Sequence, residues 1–218
     1  MNRRTGHQIF MSLAAALAVI PLLLLAFQTF SLAEMREADF REGDVIFQEA
    51  ASSQSAAIQE ATGSRYTHCG LVFEYGGKMM VYEALGTMSR TPLARWISRG
   101  VDHHYVLMRL KDRDKILTPE KITAMKTAGR ALADKKYDLM FQWSDDTIYC
   151  SELVWKIYER GAGLVLIEPR TFRDFNLNGP AVRAVAQKRY GQNLPLDEKV
   201  VTPSDLMVSP WLETVGPD

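Results

Sequence analysis

The chain has 218 residues, of which 47% are hydrophobic and 24% are charged, and this composition is typical of a globular protein rather than a disordered one. Its 26 basic residues balance its 26 acidic residues, so it lacks the basic excess that binding to a nucleic-acid backbone requires. Nucleic acid is therefore not expected as a partner.

The segment 1–33 differs in composition from the rest of the chain. Two arginines precede an apolar run over residues 9–27, and the small residues Ser31 and Ala33 follow it. This layout is typical of a secretory signal peptide cut after Ala33, so we expect an exported protein, periplasmic or secreted, with its folded domain over residues 34–218. The run is longer than the usual ~7–15 residues, so an uncleaved anchor in the inner membrane, facing the periplasm, is the alternative.

The folded part opens with a turn, a strand and a helix. The stretch FREGDVIFQ, residues 40–48, places the turn residues Gly43 and Asp44 before the apolar residues 45–47. Asp44 is predicted to cap this turn, with a chemical role as the alternative. A serine-rich start, an alanine-rich body and Gly63 as a stop then predict a helix.

The next segment, residues 66–86, predicts a β-hairpin. Two β-rich runs flank Gly76 and Gly77, and a glycine pair is typical of a two-residue hairpin turn. With these glycines as the turn, His68 and Glu83 lie on one face of the hairpin as diagonal neighbours. Diagonal partners are about 7–8 Å apart at the backbone, so the carboxylate of Glu83 can reach the imidazole of His68 and orient it.

Cys69, one of the two cysteines of the chain, directly follows His68. Strand alternation points the Cys69 side chain to the opposite face from His68. If His68 faces Cys150, a disulfide between the two cysteines requires a shifted register, so the disulfide and a catalytic role for Cys150 exclude each other. Two cysteines in an exported protein can pair, so both interpretations stay open here. Cys69 itself is expected to have no catalytic role.

Further elements are predicted between the hairpin and the second cysteine. Residues 91–97 predict a short helix, and residues 103–110 predict a strand. On such a strand His103 and His104 point to opposite faces, so neither is expected to bind a metal ion. Thr118, followed by proline and glutamate, predicts the start of a longer helix.

A helix is predicted to begin at Cys150. The apolar residues Leu153, Val154, Ile157 and Tyr158 follow it at helical spacing and form the stripe expected to face the core. A thiol in the first turn lies near unbonded N–H groups and the positive end of the helix dipole, which stabilise a thiolate and an oxyanion. A structural cysteine is the alternative, because free cysteines are often simply buried.

The surroundings of this helix carry further expectations. Ser151 and Glu152 are expected to turn away from the core. Four nearby aromatic residues either line a substrate groove or belong to the core. They are Tyr137, Phe141, Trp143 and Tyr149. The elements together predict one α+β domain, an antiparallel sheet packed against helices, with Cys150 at a helix N-terminus.

Five motifs follow one another along the chain: EGDVIFQ, SSQSAAIQEAT, YTHCGLV, VYEALG and YCSELVWK. In this order they resemble the permuted papain-like cysteine hydrolases of the NlpC superfamily, specifically the YaeF/YiiX group, from about Gly43 to near the C-terminus. The resemblance implies a circularly permuted papain-like fold, in which the histidine strands precede the cysteine helix. It also implies Cys150 as the nucleophile, His68 as the base and Glu83 as the residue that orients the ring.

These observations predict an exported cysteine hydrolase of the amidase or peptidase type, which acts through a thioester on Cys150. The resemblance implies a peptide or small amide substrate, with cell-wall peptides as one source. No metal ion and no cofactor is expected to take part. Two alternatives stay open: a non-catalytic exported binding domain, and an acyltransferase or thioesterase that acts on a lipid-like substrate.

Overall fold

The structure, a computed structural model, describes residues 39–217. The predicted signal peptide over residues 1–33 and its cut after Ala33 lie outside the described residues. From Phe40 onward the described residues pack together as one compact unit. No helix within the described range is long and apolar enough to cross a membrane.

An eight-stranded sheet forms the centre of the fold. The strands of the described residues, in chain order, are β1 (Val45–Gln48), β2 (His68–Tyr75), β3 (Lys78–Leu85), β4 (Thr87–Pro92), β5 (Val106–Leu110), β6 (Lys136–Tyr137), β7 (Thr147–Ile148), β8 (Arg170–Thr171), β9 (Lys199–Val200) and β10 (Leu212–Gly216). The main sheet has the order β10-β5-β1-β2-β3-β4-β6-β7, while β8 and β9 pair separately. Neighbouring strands of the main sheet are antiparallel except β6 and β7, which are parallel.

Helices accompany the sheet along the whole described chain. They are α1 (Ser53–Thr62), α2 (Leu93–Ile97), α3 (Arg113–Ile116), α4 (Pro119–Ala131), α5 (Cys150–Ile157), α6 (Pro180–Tyr190) and α7 (Pro203–Met207). A π-helical turn over Tyr158–Ala162 extends α5, and 3-10 turns span Val101–His103 and Phe172–Asp174.

Local capping explains where the predicted helices α1 and α4 begin. The Ser52 hydroxyl accepts the N–H of Ser55 over 3.1 Å, and Gly63 ends α1 in the left-handed conformation with a φ of 68°. The hydroxyl of Thr118 accepts the N–H of Lys121 over 3.4 Å at the start of α4. Both helices were predicted from these signals.

The strands β2 and β3 form the predicted hairpin. Gly76 and Gly77 have positive φ angles of 63° and 76°, which a type I′ turn requires at both central residues. The pairing begins directly beside this turn and ends with Leu71 opposite Tyr82, in the register that the sequence predicts.

The predicted helix over residues 91–97 is shorter than expected, because its first residues belong to β4. Thr91 pairs with Val81 of β3, and the helix α2 begins only at Leu93. Pairing along β3 therefore outweighs the local helix-start signal of Pro92.

The predicted strand over residues 103–110 begins later, at Val106. His103 lies in a 3-10 turn with a φ of 57°, and the N–H of His104 bonds to the carbonyl of Val101 over 3.0 Å. The expectation that the two histidines alternate along a strand was therefore wrong. The ring of His104 bonds through Nε2 to the hydroxyl of Tyr66 over 3.0 Å.

The hydrophobic core lies between the sheet and the helices α4 and α5. The stripe predicted for α5 is fully buried in this core, together with its extension into the π-helical turn. It consists of Leu153, Val154, Ile157 and Tyr158. This packing confirms the predicted α+β fold and holds the N-terminus of α5 beside β2.

Candidate active site

Cys150 is the first residue of α5 and the centre of the candidate active site. The first N–H groups of a helix have no acceptor within it, so they are available near this sulfur. Cys150 is 3% exposed, and both it and Cys69 are free cysteines. The site therefore holds a buried thiol at a helix start, and no disulfide joins the two cysteines.

His68, the first residue of β2, lies between Cys150 and Glu83. Cys150 lies close enough to its ring to raise the pKa of His68. Its Nε2 bonds to Oε2 of Glu83 over 2.7 Å, which leaves Nδ1 for the thiol. The structure thus brings together the three residues predicted for the site, and the hairpin register accounts for the contact between His68 and Glu83.

The carboxylate of Glu83 is fully buried and held by two further donors. The hydroxyl of Thr91 and Nη2 of Arg99 each donate to Oε1 over 2.5 Å. Burial alone would raise the pKa of Glu83, but the hydrogen bonds from His68, Thr91 and Arg99 lower it to about 2. Glu83 is therefore an anion at neutral pH.

The ring of Trp96 stacks on the ring of His68, with a centroid distance of 5.9 Å and an interplanar angle of 23°. Trp96 is fully buried at the end of the α2 segment, so its own position is fixed by packing. The imidazole is therefore held in its plane by stacking and in its rotation by Glu83.

The thiol and the imidazole are arranged as an ion pair. A hydrogen bond from the Cys69 thiol contributes most to holding the pKa of Cys150 well below its ordinary value, and the hydrogen bond and charge of His68 lower it further against burial. Burial alone would lower the pKa of His68, but its bonds to Cys150 and Glu83 raise it to about 9. Between these two pKa values the site holds a thiolate and an imidazolium.

The contact between Cys69 and Cys150 corrects an expectation from the sequence. Strand alternation placed Cys69 away from any partner of His68, yet Cys69 lies close enough to Cys150 for each residue to shift the pKa of the other. The expectation assumed that β2 and β3 stay paired as far as His68. The pairing ends at Leu71 instead, so the start of β2 can contact α5 through both neighbouring residues.

Ser151 and Glu152, which the sequence places away from the core-facing stripe of α5, are nevertheless buried. The Ser151 hydroxyl donates to the carbonyl of Val201 over 2.7 Å, and Glu152 pairs with Nζ of Lys156 over 2.7 Å. The same Nζ pairs with Asp145 over 2.8 Å. The helix α5 is thus enclosed on all sides, and these contacts fix the position of its first turn.

Tyr137 on β6 lines the same cavity as Cys150 and is held by an ordered chain of hydrogen bonds. Arg189 can only donate, and its Nη2 bonds to Oε1 of Gln54 over 2.8 Å, which fixes the orientation of the Gln54 amide. Nε2 of Gln54 must then donate to the hydroxyl oxygen of Tyr137, over 2.8 Å. Burial, and then the charge of Cys150, raise the pKa of Tyr137, so the phenol keeps its proton and can donate it into the site.

A cavity of about 100 Å³ opens beside Cys150, between α1 and α6. Its lining is almost entirely apolar and includes Ala57, Phe141, Phe172, Val182 and Tyr190. Tyr137, Phe141 and Tyr149 line this cavity. This agrees with the interpretation that the aromatic cluster lines a groove rather than belonging only to the core. Trp143 packs on Trp155 instead, with centroids 5.0 Å apart.

Asp44 has the structural role that the sequence predicts. Its Oδ2 accepts the N–H of Arg41 over 2.8 Å and so caps the turn before β1. Arg109 donates to both carboxylate oxygens over 2.8 and 2.7 Å. The Asp44 carboxylate therefore has a structural role at the start of β1.

Comparison with known proteins finds a match over nearly the whole described chain. A family model described as "Permuted papain-like amidase enzyme, YaeF/YiiX, C92 family" matches residues 39–216. The protein YiiX of Escherichia coli strain K12, whose printed name calls it uncharacterized, is 42% identical over 174 residues, which cover 80% of this chain and 85% of YiiX.

A solved structure of YiiX from Escherichia coli O157:H7 has the same fold. It superposes with a TM-score of 0.77 at 40% identity and covers 82% of this chain and 97% of that one. That YiiX is described as a metalloprotein. Among residues 39–217 of this chain, no three His, Cys, Asp or Glu side chains are grouped so that they fit a metal ion.

Proposed function

Because the chain belongs to the permuted papain-like amidases of the YaeF/YiiX group, we propose that it is a cysteine hydrolase that cleaves an amide through Cys150, His68 and Glu83. The observation that carries this proposal is the line of contacts from the carboxylate of Glu83 through the ring of His68 to the thiol of Cys150. Cell-wall peptides are one class of amide that such an enzyme would meet after export.

In the first half of the reaction, His68 already holds the proton of Cys150, and the thiolate sulfur forms a bond to the substrate carbonyl carbon. The carbonyl oxygen takes up the electron pair and becomes an oxyanion near the start of α5. The carbon–nitrogen bond then breaks, and the imidazolium of His68 gives its proton to the leaving amine. The product is a thioester on Cys150 and a free amine.

In the second half, a water molecule attacks the thioester while His68 takes one of its protons. The carbon–sulfur bond breaks, the carboxylic acid leaves, and sulfur returns to the thiolate form. Glu83 keeps the imidazole in one tautomer throughout, because its carboxylate accepts from Nε2. The N–H groups at the helix start and the hydroxyl of Tyr137 are the candidate donors to the oxyanion.

Steady-state hydrolysis of peptide p-nitroanilides and p-nitrophenyl esters by the full chain tests this proposal. The wild type is expected to release the chromophore, and Cys150→Ala and His68→Ala are expected to lower the rate by at least about a hundredfold. Cys69→Ser serves as the comparison, since it alters the other cysteine. Hydrolysis by Cys150→Ala at the wild-type rate would refute the proposal.

The apolar cavity favours a second candidate function, in which the thioester carries a short acyl group. Its volume of about 100 Å³ is smaller than the cavity of about 150 Å³ that holds benzene, so a chain of about four carbons or a branched side chain fits it. Acyl transfer or thioester hydrolysis on such a substrate uses the same three residues.

A series of p-nitrophenyl esters from acetate to decanoate tests this second candidate. The rate is expected to peak near the butanoate ester and to fall for longer chains. Ala186→Phe fills the cavity from α6 and is expected to shift the optimum to acetate, whereas Ala184→Phe adds the same volume on the exposed side of α6. An unchanged length profile in Ala186→Phe would count against the cavity as the acyl site.

A further inference from the structure

Arg189 is a cation beside the cavity that opens at Cys150. It lies near the end of α6, is partly buried, and lines the cavity together with Cys150, Gln54 and Tyr137. Among the described residues that line this cavity, Arg189 alone belongs to the Asp, Glu, His, Lys and Arg group. The charge that these residues bring to the cavity, apart from the nucleophile itself, is therefore positive.

Two uncharged partners hold the guanidinium of Arg189 in place. Its Nη2 donates to Oε1 of Gln54 over 2.8 Å. Its central carbon lies 5.5 Å from the centroid of the Phe141 ring, which gives a cation–π contact. A guanidinium has several N–H donors in a planar fork, and the bond to Gln54 uses one of them. The group is therefore oriented, and most of its capacity to donate is left for a ligand.

The carboxylates on the elements around the cavity have other partners. Glu60 of α1 accepts two backbone N–H groups at the start of α6, over 2.8 and 3.1 Å. Asp138, directly after β6, accepts two backbone N–H groups over 2.7 and 2.6 Å. Glu198, directly before β9, accepts the N–H of Trp143 over 2.8 Å. Within the part of the chain that the structure describes, Arg189 therefore forms no ion pair.

The same hydrogen bonds place Arg189 relative to the proposed reaction. Nε2 of Gln54 donates to the hydroxyl oxygen of Tyr137 over 2.8 Å, and Tyr137 is a candidate donor to the oxyanion. One amide group therefore separates this oxyanion donor from the guanidinium. A group bound by Arg189 would lie only a short spacer away from the carbonyl that Cys150 attacks.

We propose that Arg189 binds a carboxylate of the substrate, so that the acyl group held in the cavity beside Cys150 ends in a negative charge. This rests on the proposed function and names its substrate class, which is monoamides of short dicarboxylic acids. Their methylene groups suit the apolar lining, and their free carboxylate can pair with the guanidinium through two parallel hydrogen bonds. A spacer of about two or three methylene groups fits a cavity of about 100 Å³.

The test compares acyl groups of equal length with and without the carboxylate, in the full chain. Succinyl and butanoyl p-nitroanilides form one pair, and glutaryl and pentanoyl p-nitroanilides form the other. In the better pair, the wild type is expected to favour the carboxylate by at least about tenfold in kcat/KM. Arg189→Gln is expected to lower this ratio by at least about tenfold. Arg189→Lys keeps the charge but loses the planar fork, so an intermediate ratio is expected.

Two controls separate carboxylate binding from other effects of Arg189. Gln54→Leu breaks the row of hydrogen bonds to Tyr137 and is expected to slow both members of a pair, while the preference for the carboxylate remains. An effect that passes through Tyr137 therefore cancels from the ratio. Arg183→Gln removes an exposed cation of the same helix and is expected to leave the ratio unchanged.

A second measurement needs no turnover. Glutaric acid monoamide is expected to protect Cys150 from alkylation by iodoacetamide at a concentration at least about tenfold lower than pentanamide requires. This difference is expected to vanish in Arg189→Gln. Alkylation is read from the mass of the peptide that carries Cys150.

Ratios near one in the wild type, or a wild-type ratio that persists in Arg189→Gln, would overturn the proposal and leave the proposed function intact. Equal protection by the two amides, or none by either, would overturn it as well. The proposed function fails in a different way, because Cys150→Ala would then hydrolyse the anilides at the wild-type rate. The two failures are therefore distinguishable.

Discussion

At the candidate active site, Cys150 and Glu83 together determine how far His68 keeps its proton as the pH rises. His68 is buried, and burial disfavours its charged form, yet its pKa is raised to about 9 by the hydrogen bonds to Cys150 and Glu83. In the proposed mechanism, the imidazolium that protonates the leaving amine is therefore present below about pH 9 and is lost above it. Activity is expected to fall as the pH rises through this value.

Glu83→Gln removes the negative charge and keeps the shape. Because the carboxylate raises the pKa of His68, we expect the alkaline limb of the kcat/KM profile to move to lower pH, by about one unit or more. Glu74→Gln changes an exposed glutamate of β2 and is expected to leave the profile unchanged. An alkaline limb that stays in place in Glu83→Gln would show that Glu83 does not act on His68.

Tyr137 is expected to donate a hydrogen bond to the oxyanion. Gln54 donates to the hydroxyl oxygen of Tyr137, so the hydroxyl proton of Tyr137 is available to the site. Tyr137→Phe is expected to lower kcat by about a hundredfold with little change in KM, since the bond strengthens only as the oxyanion forms. Tyr75→Phe removes the hydroxyl of an exposed tyrosine of the hairpin and serves as the control. A full kcat in Tyr137→Phe would remove this residue from the mechanism.

The sequence predicts part of this site because one local feature fixes it. Gly76 and Gly77 set the hairpin register, and this register directs Glu83 towards His68. The contact of Cys69 depends on where β2 and β3 stop pairing, and no residue pattern in the hairpin marks that point. The position of Tyr137 near the site depends on the order of the strands in the sheet. The sequence therefore predicted only that Tyr137 belongs to an aromatic cluster.

At the scale of elements, the position of Cys150 depends on how the extension of α5 packs against α4. A Cβ atom on Gly161 would lie 2.3 Å from the Cα of Met125, so the two helical segments touch through their backbones. Backbone atoms cannot move aside as a flexible side chain can. This close approach requires glycine at position 161.

Gly161→Ala is expected to destabilise the protein by about 3 kcal/mol, because the added methyl group forces the two segments apart. Gly163→Ala is the matched control: its site is open, and only its φ of 69° opposes a side chain, which costs about 1 kcal/mol. Chemical denaturation measures both free energies of unfolding. Equal losses in the two variants would contradict the close packing of α4 and α5.

The elements with strong local signals were predictable, and those that depend on distant pairing were not. The helices α1 and α4 start at serine and threonine caps that can be read along the chain. The strands β6 and β7 have two residues each, which is too short for an alternating pattern to be recognised. The first residues of the predicted helix 91–97 form β4 because β3 offers them a pairing partner.

At the scale of the whole molecule, we propose that residues 1–33 direct export and are then removed, which gives a periplasmic or secreted enzyme. A small residue at the cut is typical of the signal that the protease recognises. Fractionation of cells that express the full chain, followed by N-terminal sequencing, is expected to give a soluble exported protein that begins at Glu34. Ala33→Phe is expected to keep the precursor uncut. A wild-type chain that keeps its first residues and stays in the membrane fraction would support the anchor instead.

The central claim is that Cys150 is a nucleophile activated by His68. It is tested most directly by exposing the full chain to the p-nitrophenyl ester of butanoic acid, stopping the reaction with acid and mapping the acylated peptide by mass. The account predicts one butanoyl group on Cys150 in the wild type and none in His68→Ala over the same time. An acyl group on a different residue, or equal acylation of Cys150 in His68→Ala, would contradict it.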